Sequence, residues 1–358
     1  MNDDKLTPFH KASIITGEFI LTPLLGAVMY YIWRRNYPSC ARFANISAWC
    51  VFSCLLMAVP TLYLIRSFQT PSLTIIKANE IARVHPSEQN AIKALYEGFE
   101  GMQIEEDGHI SAVGYSPINI FGPVVTDAET EHLAKLRELR FLSLPPVNKI
   151  TDLGLRNLAL LTKLEMLQLG ISSDITEAGI ENLKSLRNLQ ALGIPGEAIT
   201  DRSIEHLSKL TELRQIDLTG SNVGDVGMKH IEGLVKLESL ALVSTQVTDV
   251  SMEMLSRLPM LGDLDVRGCN ITDAGLESLS RSPQLTKLIA FQTKNGGGKI
   301  TDEGIKHLGN IKTLKYVNIS GNLVTEIGVN ALRQALPDCK VETRGWKVET
   351  RGDAVVPE

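Results

Sequence analysis

The chain is predicted to be an α/β protein: a solenoid of stacked strand-and-helix coils behind a two-helix transmembrane hairpin. Three observations predict it. Leucine-phased units recur from Leu139 onward, each unit pairs a short alternating strand with a helical segment, and two long apolar spans precede them all. A fixed period in the twenties marks coils that bury their apolar sides only by stacking. At 44% hydrophobic and 22% charged, the 358 residues read as globular rather than disordered. A net charge of −5 without a polybasic run argues against a nucleic-acid partner, whose phosphates need clustered Lys and Arg.

Residues 1–11 form a short N-terminal tail. Across residues 12–33 Glu18 is the only acidic or basic side chain, and residues 43–65 contain none. Each span meets the roughly 20 residues that a helix needs to cross a bilayer. The nine-residue basic loop 34–42 carries Arg34, Arg35 and Arg42. By the positive-inside rule that loop is cytoplasmic, which puts the repeat domain on the extracytoplasmic side of a two-span membrane protein. The opposite topology would make the repeats a cytoplasmic-facing adaptor or scaffold. Glu18 lies near the span's outer end, where water reaches a carboxylate, and is read as bland.

Residues 66–86 read as a membrane-proximal linker, and residues 87–138 as an N-terminal cap. In the cap, Ala91, Leu95 and Phe99 make one helical stripe, with Ser87 placed as its N-cap. The stretch "MQIEEDGHISAVGY" alternates around Asp107-Gly108, a hairpin signal. Residues 124–136 then form a degenerate leading unit.

The repeats fill residues 139–343 as eight units and a terminal strand. Their opening leucines are Leu139, Leu164, Leu189, Leu213, Leu237, Leu261, Leu285 and Leu314, spaced 25, 25, 24, 24, 24, 24 and 29 residues apart. In the sixth unit Leu261, Leu264 and Val266 point inward from a strand, Cys269 and Ile271 follow, and Leu276 and Leu279 lie on a helix. Thr151, Thr176, Thr200, Thr248, Thr272, Thr301 and Thr325 each precede a helix, where a hydroxyl caps free N–H groups. The next residue is an acid, Asp or interchangeably Glu, which suits the positive end of a helix dipole. Small residues, mostly Gly, keep that turn thin. Ser221, Thr245, Cys269 and Asn322 stand where a small polar side chain bonds the turn after the strand. Capping explains every copy of the Thr-Asp pair, so the pairs are not read as general bases or as a metal ladder. Val341 and Thr343 continue the leucine phase into a final strand, and 344–358 is a tail.

These residues resemble the leucine-rich repeat family, and the I/V-T-D-x-G-L phrase is most similar to its Cys-containing class, in a bacterial-type, membrane-anchored form. The resemblance spans about residues 110–343. It implies a right-handed solenoid, a horseshoe, with parallel strands lining the concave face and helices outside.

Nine strands are expected in that sheet, with the second and fourth residues after each opening leucine, and the sixth near the strand end, on its solvent side. The C-terminal third stands out. Asp217, Asp263, Asp265, Arg267, Lys287, Phe291, Tyr316 and Asn318 put acids, bases and aromatic anchors together, the content of an interface centre. The seventh unit's extra glycines, around residues 295–299, form a basic loop without the order of a phosphate loop. His132, His206, His230 and His307 share one repeat phase through common ancestry rather than metal binding. No nucleophile–base pair is evident, so no catalytic residue, metal or cofactor is expected. The expected function is recognition of a protein, peptide or glycan partner, held at a membrane through residues 12–65.

Overall fold

A computed structural model describes residues 84–95, 101–114, 124–145, 148–170, 174–292 and 299–343. The chain divides into units 1–59 and 60–358, and every described residue lies in the second. The two apolar spans, the basic loop, most of the linker, Phe99, most of the glycine-rich insertion and the tail therefore lie outside the described residues. Among the described residues no helix is long and apolar enough to cross a membrane.

The cap opens with α1 (Gln89–Leu95), β1 (Gly101–Ile104) and β2 (Ile110–Gly114). The hairpin falls where Asp107-Gly108 placed it, with Gly108 at φ 86°. Ser87 is not the cap of α1. Its hydroxyl lies 2.7 Å from His85 Nδ1 instead, and the carbonyl of Glu88 accepts the first helical bond, from Ile92 N. Glu88 itself is buried and holds the hairpin, accepting from Ile110 N and lying 2.9 Å from His109 Nδ1.

The coils follow in strict alternation: α2 (Asp127–Leu133), β3 (Phe141–Ser143), α3 (Asp152–Leu158), β4 (Met166–Gln168), α4 (Glu177–Asn182), β5 (Ala191–Gly193), α5 (Asp201–Leu207), β6 (Gln215–Asp217), α6 (Asp225–Met228), β7 (Ser239–Ala241), α7 (Asp249–Leu255), β8 (Asp263–Asp265), α8 (Asp273–Leu279), β9 (Lys287–Ile289), α9 (Asp302–Leu308), β10 (Tyr316–Asn318), α10 (Glu326–Ala335) and β11 (Lys340–Glu342). From β3 to β10 each strand begins two residues after an opening leucine and its central residue is buried, whereas in β11 the central Val341 is half-buried. The strands form one sheet in sequence order, parallel from β2 onward. It has eleven strands rather than nine, because the cap hairpin pairs directly onto β3. That pairing covers what would otherwise be an exposed sheet edge.

The opening leucines are between 0 and 2% exposed and belong to one continuous apolar core running from Val84 to Cys339. Burying a leucine side chain stabilises by roughly 1.5–3 kcal/mol, so this shared interior is the main source of fold stability. Thr126, Thr151, Thr176, Thr248, Thr272, Thr301 and Thr325 all sit at N-caps and accept from the backbone N–H two residues on.

The acid after each cap does more than complement a dipole. Asp152 accepts from Thr176 N and Thr176 Oγ1 of the next coil at 2.7 and 2.6 Å. The same two-bonded rung joins Asp127 to Thr151, Asp225 to Thr248, Asp249 to Thr272, Asp273 to Thr301, and Asp302 to Thr325. The third helical residue is small to admit that carboxylate: a Cβ on Gly179, Gly275, Gly304 or Gly328 would overlap the aspartate of the preceding coil. Ser251 instead keeps its side chain and donates to Asp225. Burial alone would raise the Asp225 carboxyl, but the bonds from Ser251 and Thr248 hold it below its ordinary value. Glu does not substitute for Asp here. Glu177 leaves Thr200 without a rung, and Thr200 N donates to Ser203 Oγ of its own helix.

The turn after each strand has its own ladder. Cys269 Sγ donates to the Leu242 carbonyl of the preceding coil, and Asn322 Nδ2 reaches the carbonyls of Ala290 and Ile319. Burial pushes the Cys269 thiol up, so it stays a protonated donor. Ser221 departs from the expectation: its hydroxyl has no partner among the described residues.

Candidate interaction surface

Register places two rows of side chains across the sheet face turned away from the helices. One row runs Phe141, Met166, Ala191, Gln215, Ser239, Asp263, Lys287, Tyr316, Lys340. The other runs Ser143, Gln168, Gly193, Asp217, Ala241, Asp265, Ile289, Asn318, Glu342. Their composition changes along the sheet. Before β6 the rows hold no charge, at the middle they are small, and from β8 on they are charged and aromatic.

The eight residues singled out from sequence separate into four settings. Asp263, Asp265, Arg267 and Lys287 form a charged cluster on β8 and β9. Arg267 Nε lies 2.9 Å from both Asp265 carboxylate oxygens, and its Nη2 is 2.7 Å from Oδ2. Lys287 Nζ reaches across to Asp263 Oδ2 at 3.5 Å. Tyr316 and Asn318 turn toward the final strand: the Tyr316 hydroxyl donates to Glu342 Oε2 at 2.8 Å, and Asn318 Nδ2 donates to the same oxygen at 3.3 Å. Lys340 Nζ ion-pairs with Glu342 and stands 5.5 Å from the Tyr316 ring centroid. Burial and the Glu342 acceptor together hold the Tyr316 phenol above its ordinary value. Phe291, half-buried just past the end of β9, lies beside these groups in the sequence without a polar role.

Asp217 stands apart. It is 2% exposed, and its neighbours in register across the sheet are Gly193 and Ala241. Thr219 N and Thr219 Oγ1 donate to one carboxylate oxygen. Burial pushes the carboxyl up; the Thr219 bonds oppose this, and the charge of Asp265, beyond Ala241, adds to it. Three aspartates therefore do not converge on one point, and the geometry offers neither a metal cage nor an acid–base dyad. No group of three or more His, Cys, Asp or Glu placed to hold a metal occurs among the described residues.

Glu342 and Lys340 were not among the residues that sequence pointed to. The signal was available: Val341 sits on the leucine phase, so its two neighbours must point to the outer face.

These features define a strand–helix repeat solenoid whose outer sheet face changes character along its length. One coil of it, residues 258–280, matches the family model described as Leucine Rich repeat. Among solved structures the chain is similar to internalin C2 of Listeria monocytogenes, at 24% identity over 61% of this chain and 84% of that one, with a TM-score of 0.45. It is also similar to the internalin inlF of the same organism, at 17% identity over 76% and 98%, with a TM-score of 0.30. No curated protein matches the chain.

Proposed function

We propose that this chain is a non-enzymatic recognition module of the Cys-containing leucine-rich repeat class, anchored in a membrane by residues 12–65, with its repeats on the extracytoplasmic side. The observation that carries the reading is the contrast in the coils. Core, cap and rung positions recur, whereas the outer face over β8 to β11 holds Asp263, Asp265, Arg267, Lys287, Phe291, Tyr316 and Asn318 in a pattern no other coil repeats. Aromatic side chains flanked by paired charges provide anchors with a polar rim, which suits a protein, peptide or glycan spread over several strands. Two apolar spans around a basic loop support the anchor and its orientation.

Proximity labelling from the full-length protein in its native cell tests the partner, with Phe291→Ala and Tyr316→Ala as paired variants. The expected result is a labelled set lost in both variants while thermal stability stays within about 1 kcal/mol of wild type. An unchanged set contradicts the assignment of the face. Reporter fusions after residue 66 and at the C-terminus test the orientation, and cytoplasmic signal at both positions reverses it.

A further inference from the structure

The coils are not equally joined. Between the coils of α4 and α5 the sheet is continuous, β4 pairing with β5 and β5 with β6. On the helix side, three kinds of tie found elsewhere are missing together.

The first is the rung. Glu177 occupies the aspartate position and does not reach Thr200; it faces Arg202 at 3.4 Å and His206 at 3.5 Å instead. Arg202 is 79% exposed, so this ion pair is a weak replacement for a two-bonded carboxylate. The second is the ion pairing in the loops that enter the strands. Arg140–Glu165 and Lys163–Glu138 tie one pair of coils, and Arg214–Glu238 and Lys236–Glu212 tie another. At the same two positions the loop from α4 into β5 carries the neutral Asn188 and Gln190; the Gln190 carbonyl accepts from Arg214 N and Gln215 N as part of the sheet, but among the described residues neither side chain bonds forward. The third is the isolated bridge before the helix. It joins Thr200 to Asn222, Gly224 to Gln246 and Thr248 to Asn270, and among the described residues no such bridge spans Thr176 and the α5 coil. The unit length also changes here, from 25 residues between Leu164 and Leu189 to 24 between Leu189 and Leu213.

In a linear stack, stability is close to a sum of unit and neighbour terms, so the weakest junction decides where the stack opens. We propose that the solenoid carries a built-in hinge between the α4 and α5 coils. It divides the repeats into a block ending at Asn182 and a block beginning at Asp201. The sheet is the pivot, and the helix side separates. On the outer face the pivot is lined by Ala191 and Gly193, which leave the strands free to change their angle. Flexing there alters how the apolar early face and the charged late face are presented to one partner.

Native-state hydrogen exchange on the full-length protein at low denaturant tests this. The expected result is two opening isotherms with the boundary between residues 182 and 201. Glu177→Asp should restore the rung, because Asp225 shows that an aspartate fits beside a serine at the third helical position. It should slow exchange at Thr200 about tenfold and draw the isotherms together. Glu326→Asp is the control, since among the described residues no helix follows α10 to receive a rung. A single isotherm across the stack, a boundary elsewhere, or equal effects of the two substitutions would overturn the proposal.

Discussion

The helix side and the outer sheet face of this molecule are built from the same coils but follow opposite rules. On the helix side Thr, Asp and a small residue recur because each carboxylate must fit a space left by the next coil and meet its N–H and hydroxyl. On the sheet face the two rows pass from Phe141 and Met166 through Gly193 and Ala241 to the charged cluster at Asp263 and Arg267. Stacking constrains only what points into a neighbour. A side chain on the outer face is free to differ, and so difference there carries the information about binding.

The sharpest way to break the comparison is at the core. Leu264→Ala at the centre of β8 should cost about 2–5 kcal/mol in chemical denaturation, because its site is fully packed. A cost under about 1 kcal/mol would mean that the recurring leucines are not the source of stability.

The rungs come next. Asp225→Ala removes an acceptor for Thr248 N, Thr248 Oγ1 and Ser251 Oγ, and should cost about 1.5–3 kcal/mol at neutral pH. The sign with pH follows from its lowered carboxyl. Its contribution is present above the ordinary value of 3.8 and is lost as pH falls through the still lower folded value. Melting temperatures of wild type and variant should therefore converge only in strong acid.

A smaller effect of opposite sign is expected on the outer face. Asp217 has its carboxyl raised by burial, so its ionised form opposes folding as pH climbs from 3.8 through the folded value. Asp217→Asn keeps an oxygen for Thr219 and should stabilise by about 1 kcal/mol at pH 7. The gain should vanish below about pH 4. A loss at pH 7 would show that the carboxylate is held by something stronger than Thr219.

The strand phase, the threonine caps and the hairpin at Asp107-Gly108 were legible in the sequence, because each follows from local periodicity or from a turn that few residues can make. The rung between coils was not. Thr151 and Asp127 are 24 residues apart, and nothing local to either shows that they meet. The same gap hid the difference between Asp and Glu, which look alike as helix-start acids and differ only in reach toward the next coil. Ser87 was misplaced because His85 competes for its hydroxyl. On the outer face alternation placed the strand residues on one side of the sheet, but their pairing depends on register. Register turned Asp263 toward Lys287, joined Tyr316 to Glu342 and left Asp217 between two residues without reach.

One paired measurement tests the separation of construction from recognition most directly: the unfolding free energies of Asp249→Ala and Asp263→Ala. The residue type and the substitution are the same, and the two positions belong to adjacent coils. Asp249 forms a rung to Thr272, while Asp263 faces outward beside Lys287. The expected result is a loss of about 1.5–3 kcal/mol for Asp249→Ala and under about 1 kcal/mol for Asp263→Ala. Equal losses, or a larger loss at Asp263, would contradict it.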